Sequence, residues 1–259
     1  MIRLHVLGSG HAMVTKCFNS CFILEDCDDT LLIDCGGGNE ILRHILESKV
    51  SLNTIHQIFI SHKHCDHLLG TFWVIRAIAV EILKKTYVGR LSIFCDSETK
   101  TFLRNGCVTM FGSTINNLVD QSIIFKDIDF ESPQIGQSFS SYITGSRVLQ
   151  HGFVCTLSNG KKLVFSGDEL IEKTVVKKAF NADYLICETF GNDAHAKENF
   201  KSTIKESAII CSKTKAKTII FTHMDDYDLE KRKYRIKEEA SEYCNACILV
   251  PNDDEVLEL

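Results

Sequence analysis

The stretch Gln57-Ile58-Phe59-Ile60-Ser61-His62-Lys63-His64-Cys65-Asp66-His67-Leu68-Leu69-Gly70 decides how the rest of the chain is interpreted. Its apolar run, Ile58 to Ile60, predicts a short buried strand that ends where the polar residues begin. Four side chains able to bind a metal ion follow the strand: His62, His64, Asp66 and His67. Imidazole and carboxylate are ligands that zinc, manganese or iron accept. On an irregular turn the first two histidines can face one ion while Asp66 and His67 face another, so the segment predicts a metal site rather than an ordinary histidine-rich surface loop.

The composition predicts one large α/β domain over residues 1–259. The chain is 44% hydrophobic and 24% charged, which provides ample apolar material for a core, and two prolines leave no sign of a linker. The formal net charge is -5. Proteins that grip a nucleic acid backbone usually carry a basic face, so this charge favours a small substrate over an extended nucleic acid. Local basic patches at Lys161-Lys162 and at Lys231-Arg232-Lys233 leave a nuclease as the alternative.

The sequence also predicts a cytoplasmic protein that does not enter a membrane. Residues Met1 to Val6 lack the apolar region of a signal peptide, and Leu68 to Leu83 is too short for a membrane span and contains Arg76 and Glu81. Twelve cysteines without a secretory signal suggest reduced thiols. The pair Cys244 and Cys247 forms an isolated Cys-x-x-Cys, for which a structural role is favoured over metal binding or redox chemistry.

Hydrophobic periodicity and turn residues predict an alternation of strands and helices. The predicted strands are Ile2–Leu7, Cys17–Leu24, Thr30–Ile33, Ile58–Ile60, Leu91–Cys95, Ile123–Phe125, Ser138–Thr144, Arg147–Gln150, Phe153–Leu157, Lys162–Phe165, Tyr184–Cys187, Thr218–Phe221 and Cys247–Val250. The predicted helices are Ile41–Leu46, Leu68–Lys84, Ser97–Arg104, Glu169–Phe180, Thr203–Ser212 and Leu229–Tyr243. Asn159-Gly160 predicts a hairpin, and Gly8-Ser9-Gly10 a sharp turn rather than a nucleotide-binding loop. The strands, interrupted by helices, fall into two similar halves along the chain. This arrangement suggests two sheets packed on each other with helices outside.

Three further ionisable residues follow predicted strands in the way that the opening segment does. They are His151, Asp168 and His223, and Gly167 would let the carboxylate of Asp168 approach closely. Asp34 follows another strand, where it can either orient a metal-bound histidine or cap a helix or turn. Together these residues supply the ligands that His62 to His67 lack.

The set His62, His64, Asp66, His67, His151, Asp168 and His223, with Asp34 behind it, resembles the metallo-β-lactamase superfamily residue by residue. The resemblance covers nearly the whole chain and implies an α/β fold, the αββα four-layer sandwich, with two divalent metal ions at one edge of the sheets. It implies that His62, His64 and His151 hold one ion, that Asp66, His67 and His223 hold the other, and that Asp168 and a hydroxide bridge them. Zinc is the favoured metal, with manganese and iron as alternatives.

Within that superfamily the chain looks most like the ribonuclease Z and phosphodiesterase branch. The supporting segments are Gly8-Ser9-Gly10, Asn19-Ser20, Leu32-Ile33-Asp34-Cys35-Gly36 and Glu188-Thr189-Phe190. The long arm with which ribonuclease Z grips tRNA does not fit here, because only sixteen residues separate His151 from Asp168. Lys201-Ser202-Thr203 stands where the branch usually has His-Ser-Thr, so Lys201 or the nearby His195 is a candidate to assist the leaving group, and a merely solvated Lys201 is the alternative.

These observations predict a metal-dependent hydrolase, specifically a phosphodiesterase for a small or cyclic phosphodiester, in which Asp66 both binds metal and orients the nucleophile. A ribonuclease Z-like nuclease acting on RNA is the second hypothesis. A protein that binds metal or senses a ligand without turnover is a third, from another class. A homodimer is compatible with the resemblance.

Overall fold

The computed structural model describes residues 1–145, 148–169, 172–191 and 202–259, which form two sheets with helices on their outer faces. The first sheet has the strand order β13-β1-β2-β3-β4-β5-β6. Its strands are β1 (Ile2–Gly8), β2 (Cys21–Asp26), β3 (Asp29–Ile33), β4 (Gln57–Phe59), β5 (Leu91–Cys95), β6 (Ile123–Asp127) and β13 (Glu255–Glu258). Strands β3 to β6 are parallel to one another, whereas β13, β1, β2 and β3 pair antiparallel.

The second sheet has the order β12-β11-β10-β9-β8-β7. Its strands are β7 (Ser138–Ile143), β8 (His151–Thr156), β9 (Lys162–Phe165), β10 (Tyr184–Glu188), β11 (Thr218–Thr222) and β12 (Cys247–Leu249). Here β9 to β12 run parallel, and β8 pairs antiparallel with both β7 and β9. Each sheet therefore contains a parallel half whose carboxyl ends lie along one edge.

The helices cover the outer faces. They are α1 (Ile41–Glu47), α2 (Cys65–Leu68), α3 (Gly70–Leu83), α4 (Ser97–Met110), α5 (Ser113–Asn116), α6 (Glu172–Ala179), α7 (Ile204–Thr214) and α8 (Leu229–Ser241), with a 3₁₀ turn at Leu52–Thr54. No helix in the described ranges is long and apolar enough to cross a bilayer.

Alternation along the strands divides the interior into three apolar layers. In β2, Ile23 joins the cluster under α1, α3 and α4, whereas Phe22 and Leu24 join the cluster shared by the two sheets. In β11, Ile219 packs under α6 to α8 while Ile220 faces the shared cluster. The layers are thus helix, sheet, sheet and helix, and the predicted αββα sandwich is confirmed.

Most predicted elements are present with shifted ends, and three predictions need correction. The predicted helix from Leu68 is divided, since α2 ends at Leu68 and α3 begins at Gly70. The predicted strand Arg147–Gln150 does not form over residues 148–150, and Arg147 lies outside the described residues. The predicted helix from Glu169 begins at Glu172, with residues 170–171 also outside the described ranges.

Candidate metal centre

The loop after β4 carries the first group of candidate ligands. Helix α2 begins at Cys65, directly after His64 in extended conformation, and places Asp66 and His67 in its single turn. Gly70, at the start of α3, lets this turn approach the loop after β3, because a Cβ there would lie 1.9 Å from the carbonyl oxygen of Cys35. The close packing of the two loops fixes where the ligands point.

Four side chains converge where the carboxyl ends of the parallel strands lie. The ligand atoms of Asp66, His67, Asp168 and His223 all lie within 4.8 Å of one another, and all four residues are buried. His67 Nε2 lies 3.2 Å from an oxygen of Asp66 and 3.2 Å from one of Asp168. His223 Nε2 lies 3.1 Å from the same oxygen of Asp168 and 3.5 Å from Asp66. The group draws on both sheets, since Asp66 and His67 follow β4 of the first sheet, whereas Asp168 and His223 follow β9 and β11 of the second.

A second group shares Asp168 with the first. Its members are His62, His64 and Asp168, with ligand atoms again within 4.8 Å of one another. His62 Nε2 lies 2.8 Å from His64 Nδ1 and 3.7 Å from Asp168 Oδ2. The carboxylate of Asp168 therefore belongs to both groups of candidate ligands.

Asp34 supports these histidines from behind. Its carboxylate accepts hydrogen bonds from Ser61 N and Ser61 Oγ, both at 2.7 Å, and lies 2.8 Å from His67 Nδ1. Asp34 has φ 55°, a left-handed conformation that a non-glycine residue adopts at some cost in strain. The prediction that Asp34 orients a ligand histidine agrees with this geometry, and the alternative role as a helix cap does not.

His62 and His223 are held in the same way, through Nδ1. Ser61 Oγ donates to Asp34 and lies 2.9 Å from His62 Nδ1, so we assign the Nδ1 proton of His62 to that contact. His223 Nδ1 lies 3.2 Å from Glu188 Oε2 at the end of β10. In His62, His67 and His223, Nε2 is therefore the nitrogen directed into the cluster, where its lone pair could bind a metal ion once any proton is displaced.

The electrostatic balance of the cluster favours a cation. Burial would raise the pKa of Asp66 and of Asp168, but His67 and His223 outweigh it and hold both well below their usual range. Burial lowers the pKa of His62 well below its usual value, with His67 acting in the same direction. Burial would also lower the pKa of His67, but Asp168, Asp34 and Asp66 raise it well above its usual value. The carboxylates of Asp66 and Asp168 are thus both ionised.

His67 gives a direct test of whether these residues fit a metal ion. Its Nε2 is buried and makes no hydrogen bond of acceptable geometry, although it lies 3.2 Å from two carboxylates. With Nδ1 bonded to Asp34, Nε2 faces Asp66 and Asp168, and these carboxylates favour a positive charge at that position. A divalent ion would supply that charge in place of the Nε2 proton, so the donor set fits a metal ion.

His151 is the predicted ligand that the described residues do not bring into either group. Its backbone N donates to Ser61 O at 2.9 Å, which places it beside His62. Its ring, however, directs Nε2 toward Asp129 at 3.4 Å, and its buried Nδ1 has no hydrogen-bond partner. The predicted catalytic residues Lys201 and His195 lie outside the described residues.

Two residues at the site were missed as functional candidates. Glu188 was noted only as part of the resemblance, and its contact with His223 shows its role as the counterpart of Asp34. His11, in the loop after β1, lies 6.1 Å from His223 and 4.5 Å from Phe190 between ring centroids. The sequence feature that could have indicated His11 is its position after Gly8-Ser9-Gly10. A single histidine, however, does not form a spacing pattern that predicts a metal ligand.

Comparison with known proteins agrees with this architecture. The gorilla "Zinc phosphodiesterase ELAC protein 2" is 26% identical over 242 residues, covering 84% of this chain, which spans only 29% of that relative. "Ribonuclease Z" of Enterococcus faecalis is 24% identical over 295 positions, covering 93% of this chain and 92% of the relative. The metallo-β-lactamase-fold protein YhfI of Bacillus subtilis superposes with a TM-score of 0.81 at 17% identity, over 100% of this chain and 99% of that one.

The fold is that of the metallo-β-lactamase-fold proteins, and the sequence is similar to proteins named ribonuclease Z and zinc phosphodiesterase. Within that class a family model matches residues 2–243. The chain belongs to this family, which is described as "Anti-Pycsar protein Apyc1".

Proposed function

We propose that the chain is a phosphodiesterase with a dinuclear metal site that acts on a small or cyclic phosphodiester. The observation that carries the proposal is the position of Asp168, whose carboxylate belongs to two adjacent groups of candidate ligands. Two ions sharing a carboxylate lie close enough to act on one phosphate group.

The residues that would hold the ions follow from the two groups. His62, His64 and Asp168 would hold one ion, and Asp66, His67, His223 and Asp168 the other. His151 is retained as a further ligand of the first ion because its backbone is bonded to Ser61. Zinc is the favoured metal. When bound, such ions lower the pKa of water and stabilise the charge that develops on the phosphate oxygens.

The chain's own residues prepare the site for this chemistry. Asp34 and Glu188 fix the orientation of His67 and His223, and Ser61 does the same for His62. Burial of Asp66 and Asp168 limits competition from bulk water, so their charge acts strongly on groups inside the site. Asp66 would orient the attacking nucleophile as well as bind metal.

Size and charge favour a small substrate. The segment between β8 and β9 is the hairpin at Asn159-Gly160, which leaves no room for a tRNA-binding arm. The alignment with the Enterococcus ribonuclease Z spans 295 positions, more than the 259 residues of this chain, so that relative contains segments absent here. The net charge of -5 also disfavours an extended RNA. A nuclease acting on short RNA is the second candidate, because the relatives named ribonuclease Z align over most of the chain.

Lys201 and His195 remain the proposed residues for assisting the leaving group. The described residues on either side of this part of the chain pair with each other, since Phe190 N donates to Ser202 O at 3.1 Å and Gly191 bridges to Thr203. Phe190 in turn contacts His11 next to His223. These anchoring contacts support a role for the segment in catalysis.

We propose a cytoplasmic location because the cysteine thiols are free. All twelve cysteines are free, and even Cys187 and Cys211, whose sulfurs lie 3.4 Å apart, are unbridged. Such a set of thiols suits a reducing compartment. A homodimer is compatible with the proposal and would be seen by light scattering.

The decisive experiment measures metal content and turnover together. Zinc-loaded protein should hydrolyse bis(p-nitrophenyl) phosphate and at least one of a panel of cyclic nucleotides. His62→Ala and Asp168→Ala should lose metal and activity together, whereas Lys201→Ala should be slower with its metal retained. His56→Ala, which lies outside the site, is the matched control.

The outcomes separate the hypotheses. Equal metal content in the wild-type protein and Asp168→Ala would contradict the bridging role. Inactivity on every phosphodiester, combined with activity on a thioester or a lactone, would assign another hydrolytic branch. Metal-dependent ligand binding without turnover of any substrate would indicate the sensor hypothesis.

A further inference from the structure

His11 lies beside the metal centre on the loop after β1, and it belongs to neither group of candidate ligands. Its ring centroid is 6.1 Å from that of His223, with the two planes inclined at 70°, and 4.5 Å from that of Phe190. The side chain is half-buried, so it is neither a core residue nor a fully exposed one. A polar ring in this position is a neighbour of any group that binds at the candidate ligands.

The backbone of His11 is bonded to two segments that carry candidate ligands. His11 N donates to the carbonyl oxygen of Met224 at 3.0 Å, one residue beyond the last candidate ligand. His11 O accepts from Asn19 Nδ2 at 2.9 Å, and Asn19 Oδ1 accepts from Gly37 N at 3.1 Å. A Cβ placed on Gly37 would lie 3.6 Å from Asp66 Cα, so this chain of contacts ends at a candidate ligand. The position of the ring relative to the first ligand group is therefore fixed from two sides.

The hydrogen bonding of the His11 ring indicates which nitrogen carries the proton. Met13 N donates to His11 Nδ1 at 3.2 Å, so Nδ1 presents its lone pair to that N–H group. We therefore place the ring proton on Nε2, which makes His11 a neutral N–H donor. His223 has the opposite arrangement, since its Nδ1 faces Glu188 and its Nε2 faces the cluster. The chemistry of His11 thus suits an anion, whereas that of His223 suits a metal ion.

The charge of the metal centre creates a need for donors to an anionic substrate. Asp66 and Asp168 are ionised, and their negative charge opposes the approach of a phosphate group. Lys63, which lies between two candidate ligands in the sequence, is paired with Glu98 at 2.8 Å. A neutral donor at His11 would offset part of this repulsion without placing another full positive charge beside the ions.

We propose that His11 Nε2 donates a hydrogen bond to a non-bridging oxygen of the substrate phosphate and stabilises the charge that develops on it. This role rests on the proposed phosphodiesterase function and adds to it a residue that touches the reacting group. Donors held in place before the reaction are a large source of rate enhancement when charge develops on an oxygen. The competing role for His11 is structural, in which the ring only supports its loop through Met13 N and Phe190.

Two amide substitutions separate these roles. In His11→Asn the side-chain oxygen takes the place of Nδ1 and can still accept from Met13 N, but nothing replaces Nε2. In His11→Gln the longer side chain carries its amide nitrogen near the place of Nε2 and supplies the donor. With bis(p-nitrophenyl) phosphate and zinc-loaded protein, His11→Asn should lower kcat by about 100-fold, and His11→Gln should recover roughly tenfold of that loss. A structural role predicts the reverse order, with kcat of His11→Asn close to that of the wild-type protein.

Binding of inorganic phosphate gives a readout that does not depend on turnover. Calorimetric titration should show that zinc-loaded His11→Asn binds inorganic phosphate about tenfold more weakly than the wild-type protein, because a hydrogen bond to a charged acceptor is lost. Zinc content should be the same in the wild-type protein and in both variants, since His11 belongs to neither ligand group. His56→Asn, which changes a histidine outside the site, is the matched control and should keep wild-type turnover and phosphate affinity.

The results distinguish failure of this assignment from failure of the proposed function. Wild-type turnover and phosphate affinity in His11→Asn would overturn the role of His11 and leave the phosphodiesterase intact. Loss of zinc from His11→Asn would also overturn it, because the ring would then act on the metal rather than on the phosphate. Weakened phosphate binding by His11→Asn, in a protein that hydrolyses no phosphodiester, would support the contact and overturn the proposed function. A wild-type protein that neither binds inorganic phosphate nor hydrolyses a phosphodiester would overturn both.

Discussion

At the scale of single residues, the orientation of His67 depends on a carboxylate that is not itself among the candidate ligands. Asp34 accepts three hydrogen bonds, two from Ser61 and one from His67 Nδ1. In Asp34→Asn the amide keeps one acceptor oxygen but presents an NH₂ group where a second acceptor is needed. We expect zinc affinity to fall by about 10–100-fold, the usual effect of losing such a partner. Competition with a chromogenic chelator measures it.

Asp96 provides the control for that variant. It is buried to a similar degree and accepts hydrogen bonds from Glu98 N and Thr99 N at the start of α4, away from the metal centre. Asp96→Asn should affect stability through the helix cap but leave zinc affinity unchanged. Equal affinity in Asp34→Asn and the wild-type protein would show that the carboxylate is dispensable.

The residues that sequence reasoning identified share one property, which is a local signal. His62, His64, Asp66 and His67 lie within six positions, and Asp168 and His223 each follow a short apolar strand. His11 has no such signal. Its place at the site is set by bonds between distant segments, including His11 N to Met224 O at 3.0 Å. No spacing within the sequence reports a contact of that kind.

At the scale of elements, the loop after β1 is fastened beside the site by Asp226. Its Oδ2 accepts hydrogen bonds from Thr15 N at 2.6 Å and Lys16 N at 2.8 Å. Burial would raise the pKa of Asp226, but these backbone donors outweigh it and lower that pKa below its usual value. A lowered pKa means that the folded protein gains stability from the ionised group above the unfolded pKa of about 3.9 and loses it as the pH falls through the folded value.

We therefore expect a specific pH dependence for Asp226→Asn. The loss in free energy of unfolding relative to the wild-type protein should be constant from neutral pH to about pH 5 and should shrink below about pH 4. Urea unfolding at each pH measures it, with Asp28→Asn at an exposed turn as the control. A difference that grows as the pH falls would mean that the carboxylate is bound in its protonated form.

Strands were easier to predict than the segments joining them. Strands β2, β5, β9 and β11 have apolar runs bounded by polar residues, and Asn159-Gly160 encodes its own turn. Residues 105–137 carry a weaker local signal, because α5 has four residues and β6 is only half buried. Strand β13, Glu255–Glu258, was not predicted, since its position depends on pairing with β1 some 250 residues away rather than on its own composition.

At the scale of the whole molecule, the candidate ligands join the two sheets. The residues from His62 to His67 follow β4 in the first sheet, whereas Asp168 and His223 follow β9 and β11 in the second. This convergence could be expected from the resemblance to a known superfamily. It could not be obtained from periodicity, because alternation shows which face of a strand is buried and not which strands of different sheets end together.

Metal binding should for that reason stabilise the entire fold. An ion that binds only the folded chain adds about 2.7 kcal/mol at a free concentration of 100 Kd. At about 2–4 °C per kcal/mol for a chain of this size, Tm should rise by about 5–10 °C. Calorimetry with and without zinc measures the shift, and a chelator should reverse it. Asp168→Ala removes the carboxylate common to both ligand groups, so its Tm should respond little to zinc, whereas His56→Ala should respond like the wild-type protein. An undiminished shift in Asp168→Ala would place the stabilising ion elsewhere on the molecule and leave the two sheets joined by apolar packing alone.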